Sequence, residues 1–302
     1  MLLLWIRSVV AAWSQGRENG EKVLFYMRRF LKSVGLTTMF VFVFAVCMIF
    51  VGTVFNLFMP NLPADESFML LYFCSMIASY GVVLLIERTA FKRVLPVYNS
   101  KAGFDPTALL LGVVLIIAIS VVLLPLESVV SPDSRTFPNG GCTLLTVVLL
   151  APIFEEMIFR AHLYNILSRN TSPLMSASLS AVAFGAVHMQ PIVVIEAVFV
   201  GVGLSYFYLS KRSIIAPIIL HIFNNAFAYA LTVLSYRGES LRAIEGGVDM
   251  QLVAYAIAVA IVVIGGVVVI RFFIKEKRRM RGVESQDMET IAEHHDPDQL
   301  VE

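Results

Sequence analysis

The sequence predicts an all-α fold, a polytopic membrane bundle of about eight transmembrane helices. Of its 302 residues, 58% are hydrophobic and only 15% are charged, whereas soluble domains have ~45–50% apolar and ~25% charged residues. The mean hydropathy is +0.80, and apolar runs of the ~20-residue length needed to cross a bilayer recur along the chain. Composition and run length together favour a membrane protein over a soluble one.

Residues 1–35 precede the first long apolar run and are predicted to form an N-terminal cytoplasmic or interfacial segment. Their apolar start is interrupted by Arg7 and followed by further charges, which is not typical of a signal peptide. Trp5 and Trp13 suit an amphipathic helix that lies in the membrane interface. We therefore expect such a helix up to about Phe30.

Eight apolar segments are predicted to be the membrane helices: 36–59, 67–86, 107–126, 142–167, 174–189, 192–209, 214–235 and 251–272. The fifth and sixth are short and are joined only by Gln190 and Pro191. They form either a hairpin that stops within the bilayer or one with slightly different ends. Residues 36–141 hold the first three helices, which look generic and lipid-facing, 142–228 hold the polar residues, and 229–273 hold the end of the seventh helix and the eighth.

Lysine and arginine are concentrated in alternate connections, which predicts a multi-pass protein of the cell membrane with both termini in the cytoplasm. Residues 274–302 form a tail that is first basic and then acidic, and its acidic part is predicted to be disordered. A basic run beside a membrane helix marks the cytoplasmic side rather than a nucleic-acid site. The expected partners are therefore membrane lipids and not nucleic acid, and the sequence gives no oligomeric state.

The fourth segment carries ionisable residues that are costly in a membrane, by at least ~2.5 kcal/mol each near its centre. Glu156 and Arg160 are four residues apart, so they share a helix face and can pair. Glu155 lies about 100° around the helix from Glu156 and is free to point into a cavity. One carboxylate then suits a general base and the other a structural partner. The alternative is a purely structural ion pair, which leaves Glu155 unexplained.

Two further helices carry polar residues at similar depth. His188 ends the fifth segment, and His221 and Asn225 share a face of the seventh. By the helical rise, Glu155 and His188 lie ~18 and ~21 Å, and His221 and Asn225 ~10 and ~16 Å, from the cytoplasmic ends of their helices. All four fall in the middle of a ~30 Å core. An imidazole and a carboxamide can stabilise an oxyanion, or they can act as polar glue between helices.

Three segments resemble the motifs of a known family. The segments "EEMIFR", "FGAVH" and "HIFNN" are similar to the EExxxR, FxxxH and HxxxN motifs of the CPBP family, the CAAX-protease and bacteriocin-processing (Abi) group of intramembrane peptidases. The likeness covers about residues 142–228, which would form the catalytic core. It implies a helical intramembrane endopeptidase of the Rce1 type, with Glu156 and Arg160 supporting the site.

The same resemblance implies how the other motif residues act. Glu155 would activate a water molecule with help from His188, and His221 and Asn225 would stabilise the oxyanion. Because the family is often called metalloprotease, Glu155, His188 and His221 could instead hold a zinc ion. The chain lacks the HExxH spacing that delivers zinc ligands from one helix, so we favour water activated directly by the glutamate.

The expected substrate is a membrane-associated peptide or protein. Two other classes stay open: a proton- or ion-coupled transporter that uses the same polar residues, and a non-catalytic membrane immunity or scaffold protein. No internal repeat of the kind common in transporters is evident. Glu196, a further intramembrane acid in the sixth segment, has no role assigned by the motifs.

Overall fold

The computed structural model describes residues 17–91, 97–98, 104–130, 140–188, 190–236 and 248–294. Within these residues the chain forms eight helices and no strand. The helices are α1 Arg17–Phe58, α2 Ala64–Phe91, α3 Pro106–Val130, α4 Gly141–Ser168, α5 Pro173–Ala186, α6 Pro191–Lys211, α7 Ile215–Tyr236 and α8 Val248–His294. The prediction of a helical membrane bundle is confirmed.

Six of the described helices are long and apolar enough to cross a membrane. The protein is therefore a multi-pass membrane protein. Of the two segments predicted to be short, only α5 is so, with 14 residues, while α6 has 21. Pro173 and Pro191 each begin one of these helices, which suits proline because the first turn of a helix needs no backbone N–H partner.

The structure corrects two predictions about the ends of the bundle. Helix α1 runs without a break from Arg17 into its membrane segment, so no separate interfacial helix ends near Phe30. Helix α8 continues to His294, through much of the tail that was predicted to be disordered. A membrane helix supplies the nucleus that is costly to form, and the Glu, Lys, Arg and Met residues that follow extend it readily. Residues 1–16 and 295–302 lie outside the described residues.

Helices α4 and α6 form the centre of the bundle. In their apolar stretches 44% and 50% of the residues are buried, against 17% in α1 and 11% in α8. Phe159 of α4 packs against Phe40 and Phe44 of α1 and against Phe184 of α5, with ring centroids 5.4–6.5 Å apart. Helix α1 thus packs against the helices that carry the first two motifs, and α6 packs against the helices of all three.

Charged side chains join several helices at one end of the bundle. Tyr164, Tyr208 and Phe273, near that end of α4, α6 and α8, are buried in one cluster. The contacts around this cluster are Arg29 Nη2 to the Arg169 carbonyl at 2.7 Å, Lys211 Nζ to Asp105 Oδ2 at 2.6 Å, and Arg212 Nη2 to Glu276 Oε1 at 2.5 Å. Alternate connections therefore meet on the same side, as their shared charge predicts.

Candidate active site

Helix α4, which carries the paired glutamates, is not uniform. Its backbone is π-helical over Thr146–Leu150 and Met157–Tyr164, and one α-helical turn, Ala151–Glu156, lies between. Pro152 sits in that turn and has no backbone N–H, so one carbonyl in the preceding turn loses its helical donor. Wider turns of this kind are common at functional sites because they redirect side chains and expose carbonyls.

Asn225 of α7 satisfies one of these exposed carbonyls. Its Nδ2 donates to the Val147 carbonyl oxygen at 2.9 Å, and its Oδ1 accepts from Asn224 Nδ2 at 3.2 Å. In the π-helical register the Val147 carbonyl would pair with residue 152, which is proline. The third motif is therefore docked onto the first by a hydrogen bond that the sequence of α4 makes available.

Glu156 contacts both other members of a buried polar group, Arg160 and His221. Its Oε1 accepts from Arg160 Nη1 at 2.6 Å and lies 2.8 Å from His221 Nδ1. The Arg160 guanidinium also stacks over the Phe184 ring at 4.4 Å, and a Cβ on Gly201 would come within 3.0 Å of Arg160 Nη2. The pair expected from the i, i+4 spacing is present, and it reaches a second helix through His221.

Glu155 points away from this pair and into a cavity. Tyr72 of α2 donates its hydroxyl to Glu155 Oε1 at 2.6 Å. The other oxygen, Oε2, lies 3.6 Å from His221 Nε2 and makes no hydrogen bond. Glu155 is only 6% exposed, so an unbonded carboxylate oxygen in this place is free to bind what enters the cavity.

His188 is oriented by its own helix. Its Nδ1 lies 2.8 Å from the Phe184 carbonyl oxygen, which only accepts, so Nδ1 carries the proton and Nε2 the lone pair in the neutral ring. The Phe184 ring packs edge-on against both His188, at 4.9 Å, and His221, at 5.4 Å. The phenylalanine of the second motif thus separates and supports both imidazoles.

These side chains line one cavity of about 330 Å³, within the size range of small-molecule sites. Glu155, His188, His221 and Asn225 all face it, together with Tyr72, Asn224 and Glu196. The rest of the lining is mostly apolar: Phe68, Thr146, Val147, Ala151, Phe184, Gln190, Val193, Ala197, Val200, Ala228 and Tyr229. Glu156 and Arg160 lie behind the wall and not in it.

Tyr72 is a cavity residue that the sequence analysis did not identify, because the first three helices were predicted to be generic and lipid-facing. The sequence did contain a signal, because Tyr72, Ser75 and Ser79 recur at helical spacing and place polar atoms on one face of α2. Ser75 and Ser79 are buried in the structure. A polar stripe on a membrane helix indicates a face turned to protein rather than to lipid.

His162 takes no part in the cavity. Its Nδ1 lies 2.8 Å from Glu87 Oε1 and its Nε2 lies 3.2 Å from the Tyr80 hydroxyl. This group ties α4 to α2 on the side away from the cavity lining.

Glu155, His188 and His221 are the three residues that a zinc ion would need as ligands. The chemistry of the donors suits a metal, because both imidazoles have Nδ1 engaged and would bind through Nε2. Among the described residues, however, no three His, Cys, Asp or Glu side chains lie together in a group that could hold a metal ion. Glu155, His188 and His221 as arranged therefore do not fit a three-ligand zinc site.

Fold and cavity define the class, a multi-pass helical membrane protein with a carboxylate, two imidazoles and a carboxamide around one intramembrane cavity. Residues 138–227 match the family model described as type II CAAX prenyl endopeptidase Rce1-like. The match covers less than a third of the chain and confirms the resemblance seen in the motifs. No curated protein and no solved structure matches the chain.

Proposed function

We propose that this protein is an intramembrane endopeptidase that hydrolyses a peptide bond in a membrane-associated peptide or protein. The observation that carries the proposal is the buried, unbonded Oε2 of Glu155, which faces a cavity shared with His188, His221 and Asn225. The family match supports the same class of reaction, because its model describes endopeptidases.

Glu155 acts as the general base in this proposal. A water molecule between Glu155 Oε2 and His188 Nε2 gives its proton to the carboxylate while its oxygen attacks the carbonyl carbon. His188 Nε2, left with a lone pair by the bond of Nδ1 to Phe184, accepts the second hydrogen bond of the water. When the C–N bond breaks, the proton held by Glu155 passes to the leaving nitrogen.

His221 and Asn225 stabilise the oxyanion of the tetrahedral intermediate. Asn225 has two N–H groups on Nδ2, and one is used by the Val147 carbonyl. His221 serves as a donor through Nε2–H, which requires an imidazolium when Nδ1 donates to Glu156.

Glu156 and Arg160 act through His221 and not on the substrate. The 2.8 Å contact of Glu156 with His221 Nδ1 fixes the rotation of the imidazole, and Arg160 Nη1 holds the same glutamate oxygen at 2.6 Å. In this proposal protein groups alone move the proton.

We also propose that both termini lie in the cytoplasm of the cell that carries this protein in its membrane. The end of the bundle with Arg29, Arg169, Lys211 and Arg212 would then face inward, as the positive-inside rule predicts. Cysteine labelling of single-cysteine variants near Arg29 and at Asn61, on opposite ends of α1, tests this orientation.

The test of function is cleavage by the purified protein. Wild type and Glu155→Gln, which keeps the size of the side chain, are reconstituted in liposomes with a pool of membrane peptides, and products are identified by mass spectrometry. We expect products with wild type, and a loss of at least ~100-fold with Glu155→Gln because the base is removed.

The other classes predict different results. A transporter would give proton or ion flux in the same liposomes, abolished by Glu155→Gln, and no peptide products. A scaffold or immunity protein would keep its cellular phenotype in Glu155→Gln. Equal cleavage by both proteins would contradict the peptidase proposal.

A further inference from the structure

Glu196 is an acid in the cavity wall that the proposed reaction does not use. It lies on α6 beside Val193, Ala197 and Val200, which also line the cavity and are apolar. It is five residues from Pro191, roughly 7–8 Å into the helix. A charged group inside a membrane bundle is costly enough that it calls for a role.

The contact of Glu196 within the bundle does not account for its charge. Ser120 of α3 donates to Glu196 Oε1 at 2.9 Å. A serine hydroxyl is equally well satisfied by a neutral acceptor such as a glutamine side chain. An uncharged side chain could therefore make the same contact between α3 and α6. The position of the Glu196 carboxylate in the cavity wall, however, brings it into contact with any ligand that enters the cavity.

The charges of the cavity are one-sided. Its described lining contains Glu155 and Glu196 but no lysine or arginine. Arg160 lies outside the lining and is bonded to Glu156, and His221 is placed between the two glutamates of α4. Among the described lining residues, no positive side chain is therefore left to neutralise Glu196, and an anionic group that enters meets repulsion.

The size of the cavity sets the distance over which Glu196 can act. Glu155 and Glu196 line the same cavity of about 330 Å³, and an extended peptide advances only ~3.3–3.6 Å per residue. A side chain that reaches Glu196 therefore belongs to a residue within about three positions of the peptide bond at Glu155.

We propose that Glu196 determines specificity by binding a lysine or arginine side chain of the substrate within about three residues of the bond that is cut. This inference rests on the proposed peptidase function. It names the substrate class as apolar membrane peptides with one basic residue near the cleavage site, and it disfavours peptides with an acidic residue there.

The test uses fluorogenic apolar peptides that carry Lys, norleucine or Glu at one of the three positions on either side of the bond that wild type cuts. Norleucine keeps the alkyl chain of lysine and lacks the charge. At the favoured position we expect kcat/KM for the Lys peptide to exceed that for norleucine about 10- to 100-fold, as for a hydrogen bond to a charged group. The Glu peptide should be the poorest of the three.

Two variants separate specificity from packing. Glu196→Gln keeps the shape and an acceptor for Ser120, and it should bring the Lys-to-norleucine ratio close to one. Ser120→Ala removes the helix contact but keeps the carboxylate, and it should preserve the ratio. Equal cleavage of Lys and norleucine peptides by wild type, or an undiminished ratio in Glu196→Gln, would overturn the inference.

A binding measurement keeps this result distinct from the peptidase proposal. Anisotropy of the same labelled peptides on Glu155→Gln protein, with and without Glu196→Gln, should show Lys binding tighter than norleucine only when Glu196 is present. Selective binding without any cleavage by wild type would contradict the peptidase and retain the Glu196 site. Binding without selectivity would reject the Glu196 site whatever the protein cleaves.

Discussion

Replacing Tyr72 by phenylalanine removes one hydroxyl and tests how Glu155 is held. The Tyr72 hydroxyl donates to Glu155 Oε1 at 2.6 Å, and phenylalanine leaves that oxygen buried without the donor. A hydrogen bond to a charged group contributes about 1.5–3 kcal/mol, which corresponds to a roughly 10- to 150-fold effect on rate. We expect the loss mainly in kcat, because Glu155 takes the proton in the transition state and does not bind the ground-state substrate.

Tyr80→Phe is the matched control. Tyr80 lies two turns further along α2, and its hydroxyl contacts His162 Nε2 at 3.2 Å, away from the cavity lining. Both variants lose one hydroxyl from the same helix, so a general loss of packing would affect both. With a quenched peptide that wild type cuts and Glu155→Gln does not, Tyr80→Phe should keep kcat within about threefold of wild type. Wild-type kcat in Tyr72→Phe, or equal losses in the two variants, would refute the positioning of Glu155 by Tyr72.

Three further predictions concern packing, charge and metal. Gly185→Ala should lower the free energy of unfolding by about 1–3 kcal/mol, because its Cβ would meet the Val194 carbonyl oxygen at 2.8 Å. Gly203→Ala is the control and should leave the free energy of unfolding unchanged, because a Cβ at Gly203 has open space. Thermal unfolding in detergent measures both variants. Arg160→Gln should cost roughly 3–5 kcal/mol, since it leaves a buried carboxylate uncompensated, and addition of Glu156→Gln should recover part of that loss in the same assay. Cleavage should survive chelators, with zinc well below one ion per chain by elemental analysis; loss on chelation that zinc restores would favour the metal site.

The sequence was sufficient to predict the helices and the residues of the three motifs, because hydrophobic run length and helical spacing are local properties. It predicted correctly that Glu156 and Arg160 share a face and that Glu155 does not. The spacing of residues along one helix does not indicate which neighbouring helix each face contacts. The contact of His221 with Glu156 could therefore be seen only in the structure. The ends of α1 and α8 were misjudged for a related reason, since composition describes a segment alone and not as the continuation of a formed helix.

The π-helical turns of α4 explain why a motif on α7 belongs to the same site. A regular helix would satisfy the Val147 carbonyl internally, and Asn225 would have no acceptor on α4. In the observed π-helical register the donor would instead come from residue 152, and Pro152 has no backbone N–H, so the carbonyl is available to Asn225. Restoring the N–H by Pro152→Ala should therefore weaken the hold of α7 without touching a motif residue. If Asn225 binds the oxyanion, Pro152→Ala should raise the activation free energy obtained from kcat by more than it lowers the free energy of unfolding. A lower free energy of unfolding with an unchanged kcat would limit Asn225 to a packing role.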